Sequence, residues 1–208
     1  MKRYGQRCPA ALALDVIGER WTPLIVRELL VGPKRYTDLI DGLPGIGTNV
    51  LAGRLSDLQT HGIIEKRTLP PPTPVAVYEL TEAGQALAPV IRELRAWGSQ
   101  YGPAPEPGDA VRPAWILSSA VSRPPGLEAG RSCEIRIGNE HFELTRDNLR
   151  AGSAAAPDAT VTLDPSVFLR LAVGRIDVAG ATAQSEIAGD PKLAGDVLAM
   201  LAGAAPAS

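Results

Sequence analysis

Apolar residues recur at helical spacing through most of the first hundred residues. Over residues 10–17 and 21–30, Leu14, Ile17 and Trp21 and then Leu24, Ile25, Leu29 and Leu30 fall three or four apart, which predicts two helices with these side chains as core faces. Gly32 and Pro33 break the second helix. Lys34, Arg35 and Tyr36 precede a short helix through Thr37, Leu39 and Ile40, and the glycine-rich stretch 42–47 reads as a tight turn. A helix over residues 48–61 follows. Its Leu51, Leu55 and Leu58 form a narrow stripe that leaves Thr48, Asn49, Ala52, Gly53, Ser56 and Asp57 turned outward, a face of small and polar residues. Two strand-like runs, 63–68 and 75–80, flank Pro70, Pro71, Pro72 and Pro74 and predict a long hairpin with a stiff tip. From residue 82 to 101, Leu87, Val90, Ile91, Leu94, Trp97 and Tyr101 repeat at three and four along one helix. Some of this stripe packs on the preceding elements; the remainder is accounted for either by helix-mediated dimerisation or by an intramolecular core alone.

The pattern changes after residues 102–113, which carry four prolines and two glycines without apolar periodicity and read as a linker. Beyond it, runs at 115–121, 133–137, 141–144 and 160–163 alternate apolar and polar residues, with Gly138-Asn139 as a hairpin turn. Two helices are expected, opening at Asp164-Pro165 and Asp190-Pro191, since Asp at the cap and Pro at the first position start a helix efficiently. Residues 183–188 read as one more strand. The expected fold class is α+β, with domains at 1–102 and 114–208 joined by the linker 103–113.

Composition first argues against nucleic acid as a partner. The 208 residues are 45% hydrophobic and 21% charged with a net charge of -2, whereas duplex binding rests on cations that neutralise phosphates. Dividing the chain at the linker alters this. Residues 1–102 hold 12 basic and 10 acidic side chains and residues 103–208 hold 9 and 13, so a mildly basic half is joined to an acidic one. Cys8 and Cys133 form no CxxC pair, the start lacks a signal-peptide pattern and no run of about 18 apolar residues occurs; a cytoplasmic protein with no membrane partner is expected. Enzyme chemistry is not evident. His61 and His141 are the only histidines, with no HxxxH, GxSxG, P-loop or dinucleotide fingerprint, and no cofactor or metal is called for.

Two short helices, a glycine-containing turn, a narrow-striped helix and a hairpin follow the order of a winged helix-turn-helix. The words Val-Ile-Gly-Glu-Arg-Trp-Thr-Pro-Leu-Ile-Val-Arg-Glu-Leu (16–29), Arg-Tyr-Thr-Asp-Leu (35–39), Gly-Ile-Gly-Thr-Asn-Val-Leu-Ala-Gly-Arg-Leu-Ser-Asp-Leu (45–58) and Tyr-Glu-Leu-Thr-Glu-Ala-Gly (78–84) closely resemble the HxlR-type regulators, relatives of the MarR family. The resemblance implies a homodimeric, bacterial transcription factor that binds double-stranded DNA. Its wing tip departs from a minor-groove reader in having no basic residue between Thr68 and Val77.

A recognition helix presents its first turns to base edges, which makes Thr48, Asn49 and Gly53 candidates for the DNA face and Arg54, one turn on, a candidate for a base or phosphate. Lys34, Arg35, Lys66 and Arg67 are candidates for phosphate contacts. Other roles stand beside these. Thr48 serves equally as a helix cap, Arg54 as an ion-pair partner of Asp57, and only one of Lys66 and Arg67, on opposite faces of a strand, can face DNA. Cys8 lies where HxlR-type sequences often carry a cysteine; it is a candidate redox sensor or an inert thiol.

Within residues 159–201, Ala-Thr-Val-Thr-Leu-Asp-Pro, Leu-Ala-Val-Gly-Arg-Ile-Asp and Ser-Glu-Ile-Ala-Gly-Asp-Pro-Lys-Leu-Ala resemble the sterol-carrier-protein-like domain. That resemblance implies a sheet covered by helices around an apolar cavity, with Trp115, Phe142, Leu144, Leu163, Phe168, Leu171, Ile187, Val197 and Leu201 as candidate lining residues for an apolar small molecule. The same residues would fill an ordinary core. Two functions follow: a dimeric DNA-binding regulator, a repressor by preference, whose C-terminal domain senses a ligand or aids dimerisation; or a lipid carrier that uses its winged domain for assembly.

Overall fold

The computed structural model describes residues 3–69, 74–103, 106, 108–118 and 127–202. The chain forms two compact units, Met1–Ile91 and Arg92–Ser208. Among the described residues no helix is long and apolar enough to cross a membrane.

In the first unit, α1 (Pro9–Ile17) and α2 (Thr22–Leu29) each carry proline in the first turn, where its missing N–H costs no helical hydrogen bond. Then come α3 (Tyr36–Gly42), α4 (Thr48–Thr60), the antiparallel pair β1 (Ile64–Thr68) and β2 (Ala76–Leu80), and α5 (Glu82–Gln85). Lys34 adds a one-residue third strand: its N–H donates to the Tyr78 carbonyl at 3.0 Å and its carbonyl accepts from the Tyr78 N–H at 2.8 Å. Ile25, Leu29, Leu39, Leu51, Leu55, Leu58 and Ile64 make one buried cluster, against which Trp21, Leu87 and Ile91 pack. The three α4 leucines are 0–2% exposed. At about 1.5–3 kcal/mol per fully buried leucine, they are the chief anchor of that helix.

The core faces expected on the first two helices need correction, because Leu14 is 47% and Leu24 40% exposed. The periodicity is present, yet the unit is too small to cover every apolar position on helices this short. Trp21 joins α1 to α2 at φ 79°, the one non-glycine residue with positive φ among those described. Helix α6 (Ala88–Tyr101) runs across the division between the units.

The second unit holds α7 (Pro113–Leu117), β3 (Ser132–Ile137), β4 (Glu140–Thr145), β5 (Leu149–Ala151), β6 (Ala159–Leu163), α8 (Pro165–Ala172), α9 (Val178–Thr182), β7 (Glu186–Gly189) and α10 (Pro191–Ala202). Its sheet has the order β5-β4-β3-β6-β7, antiparallel except for the central β3–β6 pair. Gly138 turns the β3–β4 hairpin at φ 57°. The aspartate caps form as expected: Asp164 accepts from the Ser166 N–H at 2.8 Å, and Asp190 from those of Lys192 and Leu193 at 2.8 and 3.2 Å.

Three expectations fail here. The strand expected at 115–121 is the helix α7 as far as Leu117, because Pro113 in its first turn is already set for helix and Trp115, Ile116 and Leu117 are consecutive rather than alternating. Residues 119–126 lie outside those described. The strand expected at 183–188 is confined to Glu186–Gly189, since Asp177, accepting from the Gly180 N–H at 2.7 Å, starts a third helix ahead of it. The two helices expected after the sheet are therefore three, and the short edge strand β5 is an addition to the expected sheet.

Alternation gives the sheet two unlike faces. Cys133, Ile135 and Ile137 of β3 are buried with Phe142, Leu144, Val161 and Leu163, whereas Glu134, Arg136, His141 and Thr160 point the other way. Glu134 is only 1% exposed and satisfies its charge locally: Arg136 donates to one oxygen at 2.9 Å and His141 Nδ1 lies 3.0 Å from the other. Arg136, and after it His141, hold this carboxyl below its ordinary range against the cost of burial. A lowered carboxylate pKa stabilises the fold above the unfolded-state value, and that contribution is lost as pH falls through the lowered one. Glu134→Gln is therefore expected to lower the unfolding free energy measured by urea titration at neutral pH, by about 1–3 kcal/mol for a buried group stripped of its partners, and to reduce the loss of stability that wild type shows on acidification.

Candidate nucleic-acid interface

Helix α4 buries one edge and shows the rest. Gly47 occupies its N-cap and no side chain caps it, so Thr48 is the first helical residue and the capping role considered for it is not the one it plays. Tyr36 instead pins this end, its hydroxyl donating to the Thr48 carbonyl at 2.7 Å. With about 100° of rotation per residue, Asn49, Gly53 and Ser56 run along the middle of the exposed face, Thr48 and Ala52 lie to one side, and Val50, Arg54 and Asp57 lie to the other. A Cβ built on Gly53 would meet nothing within 4 Å. Glycine inside a helix costs about 1 kcal/mol relative to alanine, a cost that no contact among the described residues requires.

Arg54 does not project freely from this face. Its Nη2 donates to Glu19 Oε2 at 2.8 Å and its Nη1 to Asp57 Oδ2 at 3.0 Å, while Nε is buried without a partner among the described residues. Of the two roles the sequence offers, the ion pair with Asp57 is the one formed. Glu19 escapes sequence reasoning altogether: it lies 35 residues away, and only folding of the α1–α2 turn against α4 brings it near.

The wing shows the same pairing. Glu65 stands directly across from Glu79 in the β1–β2 register, and Arg67 relieves that like-charge pair by gripping Glu79 with Nε–Oε1 and Nη2–Oε2 distances of 2.8 Å. The Lys66 ammonium lies 5.6 Å from the centre of the Tyr78 ring. Lys34 is half-buried at its bridge to β2, and Arg35 is exposed, its backbone N–H donating to Asp38 at 2.8 Å. Lys34, Arg35 and Lys66 make no salt bridge among the described residues. The wing-tip prolines 70–72 lie outside the described residues.

Two further groups of candidate residues sit elsewhere. Cys8 is exposed at the N-cap of α1, where the backbone N–H groups of Ala11 and Ala10 lower its pKa without closing a cap hydrogen bond. An open hollow beside it is lined by Arg3, Gln6, Arg7 and Leu12. In the second unit Phe142, Leu144, Leu163, Phe168, Leu171, Val197 and Leu201 are 0–2% exposed. Ile187, on the edge strand β7, and Trp115, on a helix rather than a strand, are half-buried.

Comparison with known proteins places the first half in a family. Residues 16–106 match the model of the HxlR-like helix-turn-helix. The HTH-type transcriptional regulator YodB of Bacillus subtilis is 39% identical over 99 residues, covering 48% of this chain and 86% of that protein. The uncharacterized HTH-type transcriptional regulator YvaP of the same organism is 38% identical over 98 residues, covering 46% of this chain and 90% of that protein. Among solved structures, the reduced form of the transcriptional regulator YodB from B. subtilis is 38% identical and covers 50% of this chain and 100% of its own, with a TM-score of 0.41.

The two cysteines are expected to separate cleanly in reactivity. Burial, reinforced by Glu134, pushes the Cys133 thiol up to about 12. Alkylation of the native protein by iodoacetamide should therefore label Cys8 alone, with half its limiting rate reached below the pH of an unperturbed thiol, and Cys133 should react only after denaturation. Equal labelling of both cysteines in the native protein would contradict this placement.

Proposed function

The chain belongs to the HxlR-like helix-turn-helix family, and we propose that it acts as a homodimeric repressor that reads a pseudo-palindromic operator with the exposed face of α4. The observation that carries this reading is the glycine at position 53. A residue that weakens its own helix and leaves open space fits a helix whose backbone must come close to something outside the protein, and the floor of the major groove is such a surface. Asn49, one turn before it, has the donor and acceptor to read adenine bidentately, with Thr48 beside it. Lys34, Arg35 and Lys66 serve as phosphate contacts that set the register. Arg67 stays with Glu79, so Lys66 is the wing's contribution.

Dimerisation is supported by α6. Val90, Leu94, Trp97 and Tyr101 are 40, 51, 62 and 64% exposed and fall within about 60° on the helical wheel, a continuous apolar stripe open to solvent. A second copy of α6 would cover it and set two recognition helices about one DNA turn apart. Cys8, exposed and with its thiolate favoured, is the proposed redox-sensing position. The second unit is proposed to accept an apolar molecule between its sheet and helices or to reinforce the dimer, on the sequence resemblance and the concentration of large apolar side chains there. A fatty molecule recovered by denaturing mass spectrometry of the purified protein would support the first role; no extracted ligand and no thermal shift with fatty acids would exclude it.

Salt-dependent anisotropy with duplex DNA from upstream of the protein's own gene tests the DNA reading. Asn49→Ala is expected to weaken binding by about 1–3 kcal/mol. Gly53→Ala is expected to act with opposite signs, raising helix stability by about 0.5–1 kcal/mol while lowering DNA affinity. Leu94→Glu should leave the winged unit folded, give a monomer in sedimentation and reduce affinity through loss of the second half-site contact. Wild type and Asn49→Ala binding equally weakly at every sequence would exclude the proposed role of α4.

A further inference from the structure

The guanidinium of Arg54 is held by two carboxylates from two elements, Glu19 in the α1–α2 turn at 2.8 Å and Asp57 in α4 at 3.0 Å. Two acids on one base leave this flank of α4 with an excess negative charge. Arg54 lies about 130° around the helix from the centre of the Asn49–Gly53–Ser56 line, so it borders the open face rather than standing in it. The turn that supplies Glu19 is itself fixed. Trp21 takes its left-handed backbone there, the Thr22 N–H donates to the Glu19 carbonyl at 3.1 Å, and the Arg20 guanidinium sits 5.5 Å from the centre of the Trp21 ring.

We propose that Arg54 is a positioning residue, kept from DNA by Glu19 and Asp57, and that this restraint sets the ratio of specific to non-specific binding. It rests on the reading of α4 as the DNA-reading helix. An arginine on the border of a recognition helix is attracted to any phosphate, and each phosphate contact adds affinity without sequence information. Engaging it with internal carboxylates removes that indiscriminate attraction, and the Glu19 bond ties the rotation of α4 to the α1–α2 turn while Asp57, on α4 itself, holds the guanidinium in place, so that the base-facing line is presented in one orientation. The side chains of Arg54, Glu19 and Asp57 are 24, 42 and 44% exposed, so the cluster is open enough for a phosphate to capture the arginine once an acid is removed.

The test measures the full-length protein on two duplexes of equal length, the DNA upstream of its own gene and a random sequence, across a range of salt. Glu19→Gln should bind the random duplex several-fold more tightly than wild type, steepen its log K against log salt by about 0.9, the slope expected when the released arginine neutralises one phosphate, and lower the ratio of upstream to random affinity. Arg54→Gln should weaken upstream binding while leaving the salt slope at the wild-type value, because a positioning residue neutralises no phosphate, and Arg54→Lys should recover part of the loss. Thermal melts of each variant separate misfolding from altered recognition. A Glu19→Gln protein that is folded and keeps the wild-type slope and ratio overturns the proposal, as does a slope that falls by about 0.9 in Arg54→Gln, which would make Arg54 a phosphate contact. If wild type itself shows no salt-dependent binding to either duplex, it is the DNA reading of α4 that fails.

Discussion

The burial of Leu51, Leu55 and Leu58 is the constraint on which the proposed DNA-facing surface depends. A helix held by three leucines on one edge has the rest of its circumference free, and here that remainder is built from small side chains and one glycine. Anchoring along an edge resists withdrawal of the helix but leaves its roll and slide less determined. Two polar attachments supply what the leucines do not: the Tyr36 hydroxyl on the Thr48 carbonyl at the start of α4, and Glu19 on Arg54 one and a half turns later. A rigid helix offering a thin face is suited to a groove whose information lies in the positions of donors and acceptors, because readout by bidentate hydrogen bonds tolerates little misplacement.

Electrostatics follow the same economy. The first half of the chain is barely basic, and two of its arginines near the proposed interface are already engaged by carboxylates. On the proposed reading, attraction to DNA depends on Lys34, Arg35 and Lys66 and, in the proposed dimer, on joining two weak half-site contacts. Linking two sites raises the affinity of the pair without strengthening either one. In that proposed dimer the apolar stripe of α6 would serve DNA binding without touching a base.

Much of this is legible in the chain. The stripe on α4, the outward residues Asn49 and Gly53, the hairpin and the two aspartate-capped helices all follow from local periodicity and capping chemistry, which neighbouring residues largely decide. Pairings that fold back from a distance are not legible: Glu19 reaches Arg54 across 35 positions, and Glu79 claims Arg67 because the hairpin register sets two glutamates face to face. The strand expected from residue 115 fails on Pro113, since a residue pre-set for the first turn of a helix outweighs a weak alternation. Asp177 is inconspicuous as a cap for lack of the proline that marks Asp164 and Asp190. Exposure of Leu14 and Leu24 is also beyond periodicity, which gives the face of a helix but not whether the domain is large enough to cover it.

Selection of bound sequences from a random DNA pool by the full-length protein tests the central claim most directly. The account predicts enrichment of an inverted repeat whose half-site centres lie about 10 base pairs apart, with the enriched positions losing their preference when Asn49 is replaced by alanine. Recovery of an unenriched pool, or of a single asymmetric site whose sequence is unchanged by that replacement, would contradict it.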